Sequence, residues 1–134
     1  MLTEKDYCDY ETCVALKELG YIGSAHECEC FGAYFNFGKD IFTDSLDNTE
    51  IGTDEFLRVP LFLAQKWLRE EKKIEVNAFY ENPVAFWRFY ILEIDSPDLS
   101  GTYAYDDAYM SYEEALLEGI KEAIKLLKTS NSIN

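Results

Sequence analysis

The most chemically specific residues in this chain are four cysteines and a single histidine. Cys8 and Cys13 come first, followed by His26-x-Cys28-x-Cys30, and thiolates and imidazole are the ligands of structural zinc. The spacing departs from ribbons and fingers, whose ligands sit on tight knuckles. Residues 26, 28 and 30 would instead share one face of a strand. The competing reading is buried free thiols, because Cys often behaves as a small hydrophobe. A Cys nucleophile needs a nearby base, and His26 is the one histidine for that role, but its flanks repeat no catalytic signature. The acid pairs Glu70-Glu71, Asp106-Asp107 and Glu113-Glu114 are sequence neighbours, which point in different directions on helices and strands. Each reads as a solvated face, so no catalytic residue and no cofactor is expected, and the chain reads as a non-enzyme.

Two other patterns fall short of a site. The stretch Asp44 to Glu55 begins and ends like a calcium loop, but Leu46 replaces an oxygen ligand and Thr49 stands where the sharp turn needs Gly. The aromatic series Phe79, Tyr80, Phe86, Trp87, Phe89, Tyr90, Tyr103, Tyr105, Tyr109 and Tyr112 could stack bases. It lacks a basic groove, since Arg88 is the only cation from Val84 to Met110. Core packing accounts for its apolar members, whereas a surplus of Tyr on an exposed sheet suits a protein interface.

Charge narrows the partners. With 26 acids against 12 bases the chain carries a net charge of −14, which disfavours direct contact with nucleic-acid phosphates or a membrane surface. A basic protein partner fits better. Residues 1–56 hold 13 acids and 3 bases, and residues 57–134 hold 13 acids and 9 bases, so the excess is concentrated early. Much of it lies in Asp40, Asp44, Asp47, Glu50, Asp54 and Glu55. Together with Tyr103, Tyr105 and Tyr109, these acids are the expected interaction surface.

At 134 residues and 48% hydrophobic composition, the chain is expected to fold as one domain. The opening Met1-Leu2-Thr3-Glu4-Lys5-Asp6 has no basic region followed by an apolar core, and the run Leu61-Phe62-Leu63-Ala64 is too short to span a bilayer. A cytoplasmic location with reduced thiols is the expectation.

The elements that would position these residues can be read from periodicity. A first helix is expected from Asp9, its cap, to Leu19, with Gly20 as terminator and Tyr10, Cys13, Val14, Leu16 and Leu19 as its apolar stripe. Residues 27–37 alternate as a broken strand or hairpin, and 39–55 read as a long acidic connection that includes a short strand near Ile41-Phe42. Pro60 opens a second helix anchored in the core by Trp67. Strands follow at 74–80 and 84–94 around the turn Glu81-Asn82-Pro83, with a further strand at 102–105 after a turn at 96–101. Ser111 and Glu114 form a capping-box pattern for a last helix that carries Leu116, Leu117, Ile120, Ala123, Ile124 and Leu127 inward.

The predicted fold is therefore α+β: an antiparallel sheet of three to five strands with about three helices. Within it, 1–38 forms an N-terminal helix plus strand region, 39–58 an acidic loop, 59–128 an αββ(β)α unit, and 129–134 a frayed tail.

Three segments carry a resemblance. Tyr10-Glu11 with Ala15-Leu16-Lys17-Glu18-Leu19-Gly20-Tyr21 is the first, and Val59-Pro60 with Ala64-Gln65-Lys66-Trp67-Leu68-Arg69-Glu70 the second. Tyr112-Glu113-Glu114-Ala115-Leu116 with Glu118-Gly119-Ile120-Lys121-Glu122-Ala123 is the third. Together they resemble a family of short uncharacterised proteins of gut Bacteroides-type bacteria and their phages. The resemblance implies a prophage or mobile-element origin and supplies no functional residues. The leading functional expectation is an acidic protein-interaction domain. The alternatives are a DNA mimic that blocks a nucleic-acid-binding host protein, and a small zinc domain built on Cys8, Cys13, His26, Cys28 and Cys30.

Overall fold

A computed structural model describes residues 3–23, 33–36, 40–43, 52, 55–83, 85–94, 102–104 and 107–133, with the backbone alone described at 33–36, 40–43, 102–104 and 130–133. Among the described residues the chain is α+β, with three α-helices, one short 3-10 helix and six strands. The chain divides into two compact units, Met1–Pro60 and Leu61–Asn134. The strands belong to two three-stranded sheets rather than to one. The expected elements at 27–31 and 96–101, and most of the acidic connection, lie outside the described residues.

In the N-terminal unit, a 3-10 turn at Glu4–Asp6 leads into α1, Tyr10–Glu18. Asp9 accepts the Thr12 N–H at 2.9 Å through Oδ1, satisfying one of the free amides of the first turn. Gly20, at φ 103°, ends the helix in a conformation that costs other residues more. The face of α1 that is buried consists of Thr12, Cys13, Ala15 and Leu16, while Tyr10, Val14 and Leu19 are only half-buried. Strand β1 (Ala33–Asn36) is the centre of its sheet, antiparallel to β2 (Asp40–Thr43) on one side and β3 (Phe56–Leu57) on the other. The core collects Tyr7, Cys8, Cys13, Leu16, Leu57 and Val59, and Cys8 N–H donates to the Val59 carbonyl at 2.8 Å.

In the C-terminal unit, α2 (Leu61–Glu71) starts directly after Pro60 and buries Leu61, Ala64 and Leu68. Trp67 is not the anchor the sequence suggested. It is half-buried, with the Lys72 ammonium 5.4 Å from its ring centre, because three smaller side chains fill the inner stripe. Strands β4 (Ile74–Glu81) and β5 (Phe86–Glu93) pair antiparallel over their full length, from Ile74 opposite Glu93 to Glu81 opposite Phe86. The turn is longer than expected, so β5 opens at Phe86 rather than at residue 84; Ala85 bends it at φ 63°. Strand β6 (Thr102–Ala104) adds to β5.

Helix α3 (Tyr112–Ile133) continues through the segment expected to fray. Its start matches the capping pattern: Ser111 Oγ accepts from Glu114 N–H at 3.2 Å, and the Glu114 carboxylate reaches back to Met110 N–H at 3.1 Å. Ala115, Leu116, Ile120, Ala123 and Ile124 are buried, while Leu117 and Leu127 are half-buried. Gly119 brings α3 close to the sheet. A Cβ there would lie 2.6 Å from the Val76 side chain and 3.1 Å from the Phe89 ring, so the missing side chain is a packing requirement.

Candidate interaction surface

The described cysteines behave as core. Cys8 and Cys13 are free and buried. Cys13 Sγ lies 3.9 Å from the Cys8 carbonyl, to which its S–H donates, and accepts the Val59 N–H at 3.5 Å. Burial pushes the Cys13 thiol up to about 12, outweighing the opposing Val59 hydrogen bond. A thiol held protonated in this way is a poor nucleophile and a poor metal ligand. Among the described residues, no group of three or more His, Cys, Asp or Glu could hold a metal ion. His26, Cys28 and Cys30 lie outside the described residues.

Of the expected acidic surface, the side chains of Asp40, Asp44, Asp47, Glu50 and Asp54 also lie outside the description. Glu55 is half-buried at the foot of the connection. There Lys17 on α1 donates to the carbonyls of Gly52 at 2.9 Å and Glu55 at 3.0 Å, with its ammonium 5.1 Å from the Phe56 ring centre. One cation therefore ties the end of the acidic segment to the first helix. Arg58, nearly buried, lies over the Tyr7 ring at 4.0 Å and pairs with Glu4 at 2.5 Å.

The aromatic residues divide by the pleat of the β4–β5 hairpin. Side chains alternate across a strand, and residues directly opposite on a partner strand share a face. Ile74, Val76, Phe89 and Ile91 form the buried face, on which α3 lies through Gly119. The opposite face carries Glu75, Asn77, Phe79 and Glu81 from β4 across from Leu92, Tyr90, Arg88 and Phe86 from β5. Phe79 and Phe86 are each 39% exposed and Leu92 is 37% exposed.

This outer face is ordered by polar contacts. Asn77 donates to Tyr90 Oη at 3.2 Å, and Arg88 pairs with Glu81 at 2.6 Å. The Phe79 and Tyr90 rings lie 6.1 Å apart. Along β4, Gln65 of α2 donates to the Val76 carbonyl at 2.6 Å, and Arg69 pairs with Glu75 at 3.3 Å.

Near the turn, a second set of rings lies beyond the part of the sheet that α3 covers. Tyr80 meets Trp87 edge to face at 5.3 Å, and Trp87 meets Tyr112, the first residue of α3, edge to face at 5.5 Å. Tyr80 is 50% exposed and Met110 79% exposed. Trp87 is held by a backbone bridge to Tyr109, with N–H to carbonyl distances of 2.9 and 2.8 Å.

Tyr109, one of the expected interface residues, is half-buried against Phe89 at 6.1 Å. Its phenol is pushed up by burial and by the charges of Asp107, Glu118 and Glu122, against the lowering effect of Lys121. The backbone of Tyr103 pairs with Ile91, and Tyr105 lies outside the described residues. Among the described residues the exposed rings are instead Phe62 on α2, Phe79, Tyr80 and Phe86 on the hairpin, and Tyr112. The signal for two of them was present in the sequence: Phe79 and Phe86 have the opposite pleat parity to the apolar Val76 and Phe89.

Among the described residues, no helix is long and apolar enough to cross a membrane. Comparisons with protein families, with curated proteins and with solved structures find no match to this chain.

Proposed function

We propose that this chain is a non-enzymatic protein-interaction domain that binds through the aromatic surface of the β4–β5 hairpin. Its excess of acids selects a basic partner. The αββ(β)α unit, α2-β4-β5-β6-α3, serves as the scaffold of that surface. The observation that carries this reading is the exposure of Phe79 and Phe86 on the outer face of adjacent strands whose inner face buries Ile74, Val76, Phe89 and Ile91. Contiguous exposed aromatic area is costly to leave in water and is characteristic of interface centres, where Tyr and Trp are enriched. The net charge of −14 provides long-range attraction for a basic surface and repels nucleic acid. The resemblance to short proteins of gut bacteria and their phages supports a mobile-element origin and a cytoplasmic host protein as the partner.

The test is affinity capture from bacterial lysate at low salt, comparing the native chain with a Phe79→Ser/Phe86→Ser double variant. The expected result is a basic protein retained by the native chain, released as ionic strength rises, and lost with the variant. Retention of nothing, or of the same proteins by both chains, refutes the reading.

A further inference from the structure

We infer that the ring cluster Tyr80–Trp87–Tyr112 is a receptor for an arginine side chain presented by an extended segment of a partner protein. The inference rests on the reading of the chain as an interaction domain and names the chemistry its partner must offer. Three rings in successive edge-to-face contact at 5.3 and 5.5 Å present a rigid electron-rich surface, with Tyr80 half exposed and Tyr112 38% exposed. Cations are attracted to such faces, and a guanidinium, planar and weakly hydrated, stacks on them better than an ammonium. Met110, 79% exposed beside Tyr109 and Ser111 in the chain, offers a polarisable apolar side chain to the arginine stem.

The surrounding charge supplies the complementarity. From Asp107 to Glu118 the chain carries four acids and no base. Glu114 is committed to the Met110 N–H and Glu118 to Lys121, whereas Asp107 and Glu113 make no ion pair among the described residues. Carboxylate charge also converges on Tyr109, whose backbone holds Trp87 in place. The first turn of α3 contributes a partial positive charge that opposes a cation, and Glu113 and Glu114 sit in that same turn to offset it. Arg88, the cation on the neighbouring strand, belongs to the opposite face, where Glu81 neutralises it. A second copy of this chain would bring the same acids together, so a basic segment of another protein is the occupant the charges favour.

The experiment follows the indole N–H resonance of Trp87 in isotopically labelled full chain during titration with a short peptide alternating Gly and Arg. Peptides with Lys or the neutral isostere citrulline in place of Arg run in parallel. The expected result is a saturable shift with the Arg peptide, weaker binding of the Lys peptide and none of the citrulline peptide. In a Tyr80→Ala/Tyr112→Ala chain, shown to be folded by circular dichroism, binding of the Arg peptide weakens by about fivefold or more, in line with the loss of cation–π contacts.

Equal response to Arg and citrulline peptides overturns the inference, as does undiminished binding by the double variant. A Trp87 shift that depends on dilution rather than on peptide would place a second copy on the cluster and overturn it too. These outcomes leave the capture experiment untouched, because that experiment tests Phe79 and Phe86 on the other face.

Discussion

The two halves of this chain solve the problem of burial differently. In Met1–Pro60 the described strands are two to four residues long, and the described core is assembled from a nine-residue helix, two cysteines and the stretch around Val59. In Leu61–Asn134 two eight-residue strands pair along their whole length beneath a 22-residue helix. The first unit carries 13 acids and 4 bases, the second 13 acids and 8 bases. The contrast teaches that the regular, better balanced unit can leave aromatic surface uncovered. Its other sheet face already carries the core, whereas among the described residues of the first unit Tyr7, Tyr21 and Phe56 are buried.

The two units also carry their own reporters. All four cysteines fall in the first and both tryptophans in the second, so thiol reactivity follows one and tryptophan fluorescence the other. Phe89→Ala should have the largest effect on this contrast. The ring is 2% exposed and lies under Gly119, so its removal should cost the C-terminal unit about 3–5 kcal/mol. Urea unfolding monitored by tryptophan emission measures this; a loss well below that range would mean that α3 closes over the gap.

Alkaline pH should act selectively on the other unit. Burial raises the Cys13 thiol in the folded chain to about 12 from its ordinary value of 9.0, so the unfolded chain ionises first. The contribution is fully present below pH 9 and is lost as pH rises toward 12, at up to about 1.4 kcal/mol per pH unit. Thiol modification in urea at pH 8 and pH 10 should show this extra alkaline sensitivity in the native chain, and a Cys13→Ala chain should lack it. The smallest effect concerns a helix end: Asp9→Ala removes the acceptor for Thr12 N–H and should cost the N-terminal unit about 1 kcal/mol by the same thiol readout.

The helix boundaries were the most legible features. Asp9 and Gly20 bracket α1 as local chemistry requires, and Ser111 with Glu114 marks the start of α3. These signals are contained within a few consecutive residues. The α+β class and the alternation of β4 and β5 were legible for the same reason. The positions of Trp67 and Tyr109 were not. Trp67 reads as core from its type, yet it is displaced outward by Leu61, Ala64 and Leu68; Tyr109 reads as part of an exposed surface, yet it is drawn inward against Phe89. The further course of α3 to Ile133 was missed because a short polar run carries no stop signal strong enough to decide a helix end.

By itself, the amino-acid sequence determined the charge and where its excess falls, the absence of a recognised catalytic spacing, and the identity of the helices. It also determined the pleat parity that sets Phe79 and Phe86 apart from Val76 and Phe89. Which rings remain in water was decided only by the tertiary structure. Exposure depends on how far one element extends over another, and α3 begins at Tyr112, leaving Tyr80 beyond its cover while Gly119 draws the same helix onto Val76 and Phe89. Local sequence specifies which residues prefer burial; the length and approach of the covering helix decide which of them obtain it.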